Sequence, residues 1–276
     1  TSVSAFIRFL FPEDVWRNPS AWLDIRYFFF HLIFRVTIYG MFLTGILELV
    51  SRMVAVAPHV IDVRALTPDS DVTDLALSTL YMFGLIAFVD FVGYAIHYVQ
   101  HKSPLLWEFH KVHHSAEVLA PLTSFRVHPV DLLLMSVTPG LLTGIVGGLA
   151  MLSTGGGVTS WQLLGMHGGV AVYHSVSNPR HTHVQVSWGP VLSRWFISPA
   201  QHQVHHSIDK KHFHRNMGWA LAVWDRLSGT LYIPETEEKI VYGLGDGSEG
   251  DYHGVVRMYF LPVVRAITWC VARSRK

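Results

Sequence analysis

Eight of the 18 histidines in this chain stand in three short clusters. His97 and His101 occur in H-Y-V-Q-H, His110, His113 and His114 in H-K-V-H-H, and His202, His205 and His206 in H-Q-V-H-H. Spacings of three and four residues place side chains on one face of a helix. Neutral imidazole is the commonest protein metal ligand. Eight imidazoles exceed what one ion takes and suit two. A second H-x-x-H-H, 92 residues after the first, argues against an accident of composition. An all-nitrogen ligand set suits iron, zinc or copper better than magnesium or calcium, and iron if the site activates dioxygen. The ions would sit where three segments meet: the end of one apolar stretch, the short link after it, and the C-terminal third of the chain.

The elements that must bring these segments together are read from hydropathy. Half of the 276 residues are hydrophobic and only 15% are charged, against about 25% in soluble domains. Mean hydropathy is positive. Residues 27–50, 75–96, 130–152 and 158–176 are apolar and long enough to be membrane helices. The expected fold is all-α: an integral membrane bundle of about four transmembrane helices under a cytoplasmic histidine-rich helical cap (97–129 and 177–276), one domain over 1–276. Of the 21 Lys and Arg, only Arg35 lies in a span and only Arg52 and Arg64 lie in the loop after the first span; the others fall on the opposite side. The positive-inside rule makes that side cytoplasmic, and all three histidine clusters land there. Ser4–Trp16 and Val255–Lys276 mix aromatic, aliphatic and charged residues. They read equally as helices in the headgroup plane or as amphipathic core helices. Gly243–Gly250 reads as a surface turn. The net charge of +1 gives no electrostatic case for nucleic acid. One cysteine, Cys270, excludes an internal disulfide and a cysteine-held iron–sulfur cluster. The first residues lack the pattern of a cleavable secretory leader.

The boxes H-Y-V-Q-H, H-K-V-H-H and S-P-A-Q-H-Q-V-H-H-S, together with W-D-R-L-S-G-T at 224–230, make the chain resemble the fatty acid hydroxylase/sterol desaturase superfamily of membrane di-iron oxygenases. The resemblance covers about residues 97–232. It implies that His97, His101, His110, His113, His114, His202, His205 and His206 are ligands to two iron ions, with zinc able to replace iron in purified material. It implies dioxygen as co-substrate and hydroxylation or desaturation of an unactivated C–H bond in a lipid from the bilayer, such as a fatty acyl chain or a sterol. A further ligand is expected in R-H-T-H, His181 ahead of His183, where some relatives show H-x-x-x-H. Asp90, seven residues before His97, is expected either to orient a ligand histidine or to pair with another span through Arg35. His128 reads as a structural hydrogen-bonding residue ahead of an extra ligand, and Asp225 as fixing the fold around the third box. His212 and His214 read as solvated loop residues; His31, His59, His167 and His253 have no sequence partner. No haem, flavin or nicotinamide motif is present, so electrons must come from a separate ferredoxin or cytochrome with its reductase. Lys102, Lys111, Lys210, Lys211 and Arg215 are candidates to receive that carrier, or anionic lipid headgroups. Two other readings stay open: a zinc-dependent lipid hydrolase, which would want an acidic base that the boxes do not contain, and a metal transporter or sensor, which would place ligands along the spans.

Overall fold

The computed structural model describes residues 2–39, 41, 71–142, 145, 178–235 and 238–275. Among these the architecture is helical. Among the described residues β-type pairing consists of two isolated bridges, Phe196 with Leu221 and Ser207 with Tyr242. The principal helices are α1 (Val3–Leu10), α2 (Pro19–Phe34), α3 (Asp71–Lys102), α4 (Pro104–His114), α5 (Pro199–His205), α6 (Val223–Leu227) and α7 (Val255–Ser274).

Local sequence explains where the site-bearing helices begin. Ser103 is extended, as the residue before a proline must be, and its hydroxyl accepts from Leu106 N–H at the start of α4. The break between α3 and α4 is therefore one residue long and folds the first box back toward the second. At α5 the sequence S-P-A-Q forms a capping box. Ser198 Oγ accepts from Gln201 N–H, and Gln201 Oε1 accepts from Ser198 N–H at 2.8 Å. Proline stands at the first turn of α2, α4 and α5, where its missing N–H costs nothing. α2 passes at its C-terminus into a π turn, Arg35–Tyr39.

α2, α4 and α7 pack around Leu23, Tyr27, Val112, Tyr252 and Met258. Each fully buried side chain of this size stabilises by roughly 1.5–3 kcal/mol. The polar centre of the same region is Arg126, fully buried, with all five donors used. Nη1 donates to Ser20 Oγ (2.9 Å) and Asp24 Oδ1 (3.0 Å), Nη2 to Ser115 O and Oγ, and Nε to Val112 O. One guanidinium thus ties α2 to the C-terminal end of α4, and removing either charge would leave its partner buried and unpaired.

The expected span 75–96 falls within α3. The spans expected at 27–50 and 130–152 are described only at residues 27–39 and 41 and at residues 130–142 and 145, and 158–176 lies outside the described residues. Among the described residues one helix, α7, is long and apolar enough to cross a membrane. Its length and apolar composition add a membrane-crossing helix to the two readings of this segment, a helix in the headgroup plane and an amphipathic core helix. Met258, Pro262 and Ala266 recur every four residues and form its buried face, while Phe260, Val264 and Ile267 are exposed. α1 has no buried residue and exposes Phe6, Ile7 and Phe9. Gly243–Gly250 is a turn, as expected, with Gly243, Gly245 and Gly247 at positive φ.

Candidate metal centre

The α3–α4 hairpin, α5 and the turn Asn178–His181 bring nine histidines together in two adjoining groups. His97, His101, His110, His114 and His205 form the first, and His113, His181, His202 and His206 the second. Within each group the nearest ring nitrogens all lie within 4.8 Å of one another. The two H-x-x-H-H boxes exchange partners. The second box gives its i, i+4 pair, His110 and His114, to the first group and His113 to the second. The third box gives its i, i+4 pair, His202 and His206, to the second group and His205 to the first. The groups meet where the rings of His114 and His206 stack, 4.4 Å between centroids.

Hydrogen bonds on the outer side fix which nitrogen faces inward. Nδ1–H of His97 donates to Met217 O (2.7 Å), that of His205 to Arg215 O (2.8 Å) and that of His113 to Arg126 O (3.3 Å). A carbonyl only accepts, so these rings carry their proton on Nδ1 and turn the Nε2 lone pair inward. His110 Nδ1–H donates to Asp131 Oδ2 at 2.9 Å, and Ser124 Oγ lies 2.9 Å from His181 Nδ1. Inside, Nε2 of His97 is 3.1 Å from Nε2 of His110; Nε2 of His181 is 3.0 Å from His202 and 3.2 Å from His113 and His206. Between His97 and His110 there is no proton to share, so two lone pairs face each other in a buried space. Nε2 of His114 and of His205 are buried without a hydrogen-bond partner among the described residues. Such an arrangement is costly in itself and is relieved by a cation. Two nitrogens each about 2.1 Å from one ion and at right angles to each other stand about 3 Å apart, the separation found here. The donor set therefore fits transition-metal ions.

Burial also keeps the rings neutral. It is the largest cause holding His113 and His205 down at about 3, reinforced by neighbouring His110. It likewise pushes His114, His181, His202 and His206 well below the usual imidazole range, with other histidines of the cluster adding to the effect.

The remaining sequence candidates take outer positions. His183 is exposed, its ring against Phe9, and does not join the second group. Asp90 accepts from Ala220 N–H, Leu221 N–H and Trp224 Nε1–H; none of these is a histidine, and none is Arg35, which lies over the Phe125 ring. Asp225 accepts from Met217 N–H (2.9 Å) and Gly218 N–H (2.7 Å). The two carboxylates thus pin the loop that carries the carbonyl orienting His97. Both nitrogens of His128 are used: Nδ1 accepts from Val130 N–H, capping the helical turn Pro129–Leu132, and Nε2–H donates to Tyr259 O at 3.0 Å. That turn presents Asp131 to His110. His214 is exposed, as expected of a loop residue, but His212 is not. It is buried against the Tyr232 ring with Nε2 3.2 Å from Glu238 Oε1. His31 and His253 do have partners, Tyr259 OH and Glu117. His59 and His167 lie outside the described residues.

The sequence reading overlooked Asp131, which also accepts from Gln100 Nε2. Its signal was available: a lone acid at the start of an apolar stretch must have a partner. Ser124 and the carbonyls of Arg126, Arg215 and Met217 gave none.

Comparison with known proteins matches residues 82–230 to the fatty acid hydroxylase family model, a stretch that contains all nine clustered histidines. The ornithine lipid hydroxylase OlsE of Rhizobium tropici is 28% identical over 153 residues, 55% of this chain and 42% of its own length. The alkylglycerol monooxygenase of Danio rerio is 30% identical over 162 residues, and that of Homo sapiens 28% over 166, each covering 56% of this chain and 31% of its own. The chain thus spans less than half the length of these curated relatives. No solved structure matches it. With the family model covering more than half of its length and enclosing both histidine groups, the chain belongs to the fatty acid hydroxylase family.

Proposed function

We propose that the chain is a membrane-bound di-iron oxygenase that hydroxylates, or desaturates, an unactivated C–H bond of a lipid with dioxygen and two electrons supplied from outside. The observation that carries this is the pair of adjoining all-imidazole groups with lone pairs turned inward. In this reading His97, His101, His110, His114 and His205 hold one iron, and His113, His181, His202 and His206 hold the other. Two iron ions held there would supply dioxygen activation. The protein's own contribution is orientation. Met217 O, Arg215 O, Arg126 O and Asp131 fix four rings from behind, so no ring need turn for an ion to bind. For hydroxylation the balance is one dioxygen, two electrons and two protons giving one alcohol and one water. The active site faces the cytoplasm in this reading, from the sorting of Lys and Arg along the chain.

The hydrolase and transporter readings draw no support from the arrangement. Every residue of both groups is a histidine, Glu108 is paired with Lys111, and Glu117 with His253. Element analysis of protein purified with iron retained should give close to two iron atoms per chain, with zinc replacing iron where iron is scarce. Reconstituted with a reductase, an electron carrier, a lipid extract and 18O-labelled dioxygen, the protein should place the label in a lipid hydroxyl, or make a double bond with dioxygen consumed. Protein free of transition metal after iron loading, or a product oxygen drawn from water, would refute the proposal.

A further inference from the structure

A cavity of about 370 Å³ opens beside the C-terminal end of α2, lined by Phe28, His31, Leu32, Arg35, Val36 and Phe125. Four of the six are hydrocarbon or aromatic, and the two polar members are incompletely satisfied. His31 is 1% exposed, and its Nε2 is buried with no hydrogen-bond partner among the described residues. Its Nδ1 lies 2.6 Å from Tyr259 OH. In the tautomer in which the tyrosine O–H donates to Nδ1, the imidazole proton sits on Nε2 and makes it a donor, and an anion in the cavity would select that tautomer. Arg35 has no carboxylate partner among the described residues; its guanidinium lies 5.3 Å from the centre of the Phe125 ring. Arg35 also opens the π turn Arg35–Tyr39, a local widening of the helix that is frequent at functional sites.

We infer that this cavity is a headgroup site that takes the anionic oxygen head, carboxylate or phosphate, of an amphiphilic lipid. A guanidinium and an imidazole N–H set in apolar walls match a group that is anionic at one end and hydrocarbon at the other. Exposed Phe29, Ile33 and Val36 continue the apolar surface along α2 for a tail. Along the chain the site adjoins residues that hold the histidine groups. Phe125 is flanked by Ser124, bonded to His181, and by Arg126, whose carbonyl takes His113. The same chemistry fits the head of the lipid being oxidised or a bilayer lipid held beside it.

The test is retention of added oleate, dioleoyl phosphatidylglycerol or the neutral oleyl alcohol by the whole chain in detergent, read by native mass spectrometry. Arg35→Gln should weaken retention of both anionic lipids at least about tenfold and leave oleyl alcohol unchanged. Arg35→Lys should keep part of it, and Arg8→Gln, on exposed α1, should have no effect. Equal retention by wild type and Arg35→Gln, with metal content unchanged, would overturn the inference. This arm does not depend on the oxygenase reading. A second arm does rest on it: turnover on a native lipid extract. A raised KM with unchanged kcat in Arg35→Gln identifies the head of the oxidised lipid. Lost retention with an unchanged KM identifies a held bilayer lipid.

Discussion

At the scale of single residues, the protein separates the ring nitrogens that face into the two histidine groups from the atoms that hold the rings in place. His113 and His205 each turn Nδ1–H to a carbonyl and Nε2 inward. Replacing either by alanine should abolish turnover and lower metal occupancy, while His253→Ala, at an exposed ring paired with Glu117, should leave both unchanged. Asp131→Leu should weaken metal binding by about 10–100-fold, because His110 loses the acceptor that fixes its ring; element analysis after graded chelation would measure it. Equal losses in all of these variants, His253→Ala included, would point to general damage. The same burial gives the metal-free protein an acid sensitivity. His113 and His205 are pushed from 6.5 to about 3 in the folded state. The unfolded chain then binds more protons within that window, so stability is complete above about pH 6.5 and falls as pH drops toward 3. Thermal melts of chelated protein across that range should show Tm falling with pH, and a flat profile would contradict it. The clustering of the eight box histidines was legible in the sequence because one residue type recurs there at helical spacing, whereas His181 was expected only from the family resemblance, with His183 as the alternative. The supports of the rings were not legible, because three of them are backbone carbonyls, which any residue supplies.

Among the elements, the loop between α5 and α6 carries the most precise demand. Met217 O must reach His97, and Asp225 and Asp90 pin the loop on either side of Trp219. Gly218 sits where a Cβ would fall 2.7 Å from Leu221 O and 2.9 Å from Asp225 Oδ2. Gly218→Ala should therefore lower stability by about 2 kcal/mol, roughly 5 °C in Tm, and reduce metal affinity through His97. Gly250→Ala, in open space, should do neither. Calorimetry on the metal-free forms and chelation on the loaded ones would separate the two effects. The sequence announced the boxes and the short link between the first two, since each follows from local chemistry. It was less informative for α7. Arg257, Arg265 and Arg273 made that segment read as an interfacial or an amphipathic core helix, yet Arg265 turns back to Asp251 and Tyr252 and leaves an apolar helix of membrane length. His212 was misread because its burial depends on Tyr232, twenty residues away.

For the whole molecule, the proposal that the histidine boxes face the cytoplasm rests on the sorting of Lys and Arg along the chain, and it is open to direct labelling. With the exposed Cys270 replaced, a cysteine at exposed Lys210 should resist an impermeant reagent in intact cells and react after lysis. Labelling in intact cells would reverse the orientation. In the proposed reaction hydroxylation consumes two electrons from outside the lipid, and the proposal has a separate carrier deliver them on the same face. Pure protein with NADPH and lipid alone should be inactive, and activity should return with a reductase plus a ferredoxin or cytochrome. Full turnover without a carrier would refute the requirement. The structure narrows the docking residues. Lys111 is paired with Glu108 at 2.8 Å and little exposed, Lys211 is paired with Glu238, and Arg215 donates to Gly229 O. Lys102, packed over the Tyr98 ring, and Lys210 remain exposed without a carboxylate partner among the described residues. An acidic carrier steered by these two should lose rate as salt rises, since the Debye length shrinks from about 10 Å at 0.1 M to about 3 Å at 1 M. Lys102→Glu with Lys210→Glu should raise the carrier's apparent KM severalfold, flatten the salt dependence and spare metal content. Lys111→Gln, which removes a cation already neutralised by Glu108, should change the carrier KM far less. A carrier KM unmoved by the double variant would place electron entry on another face.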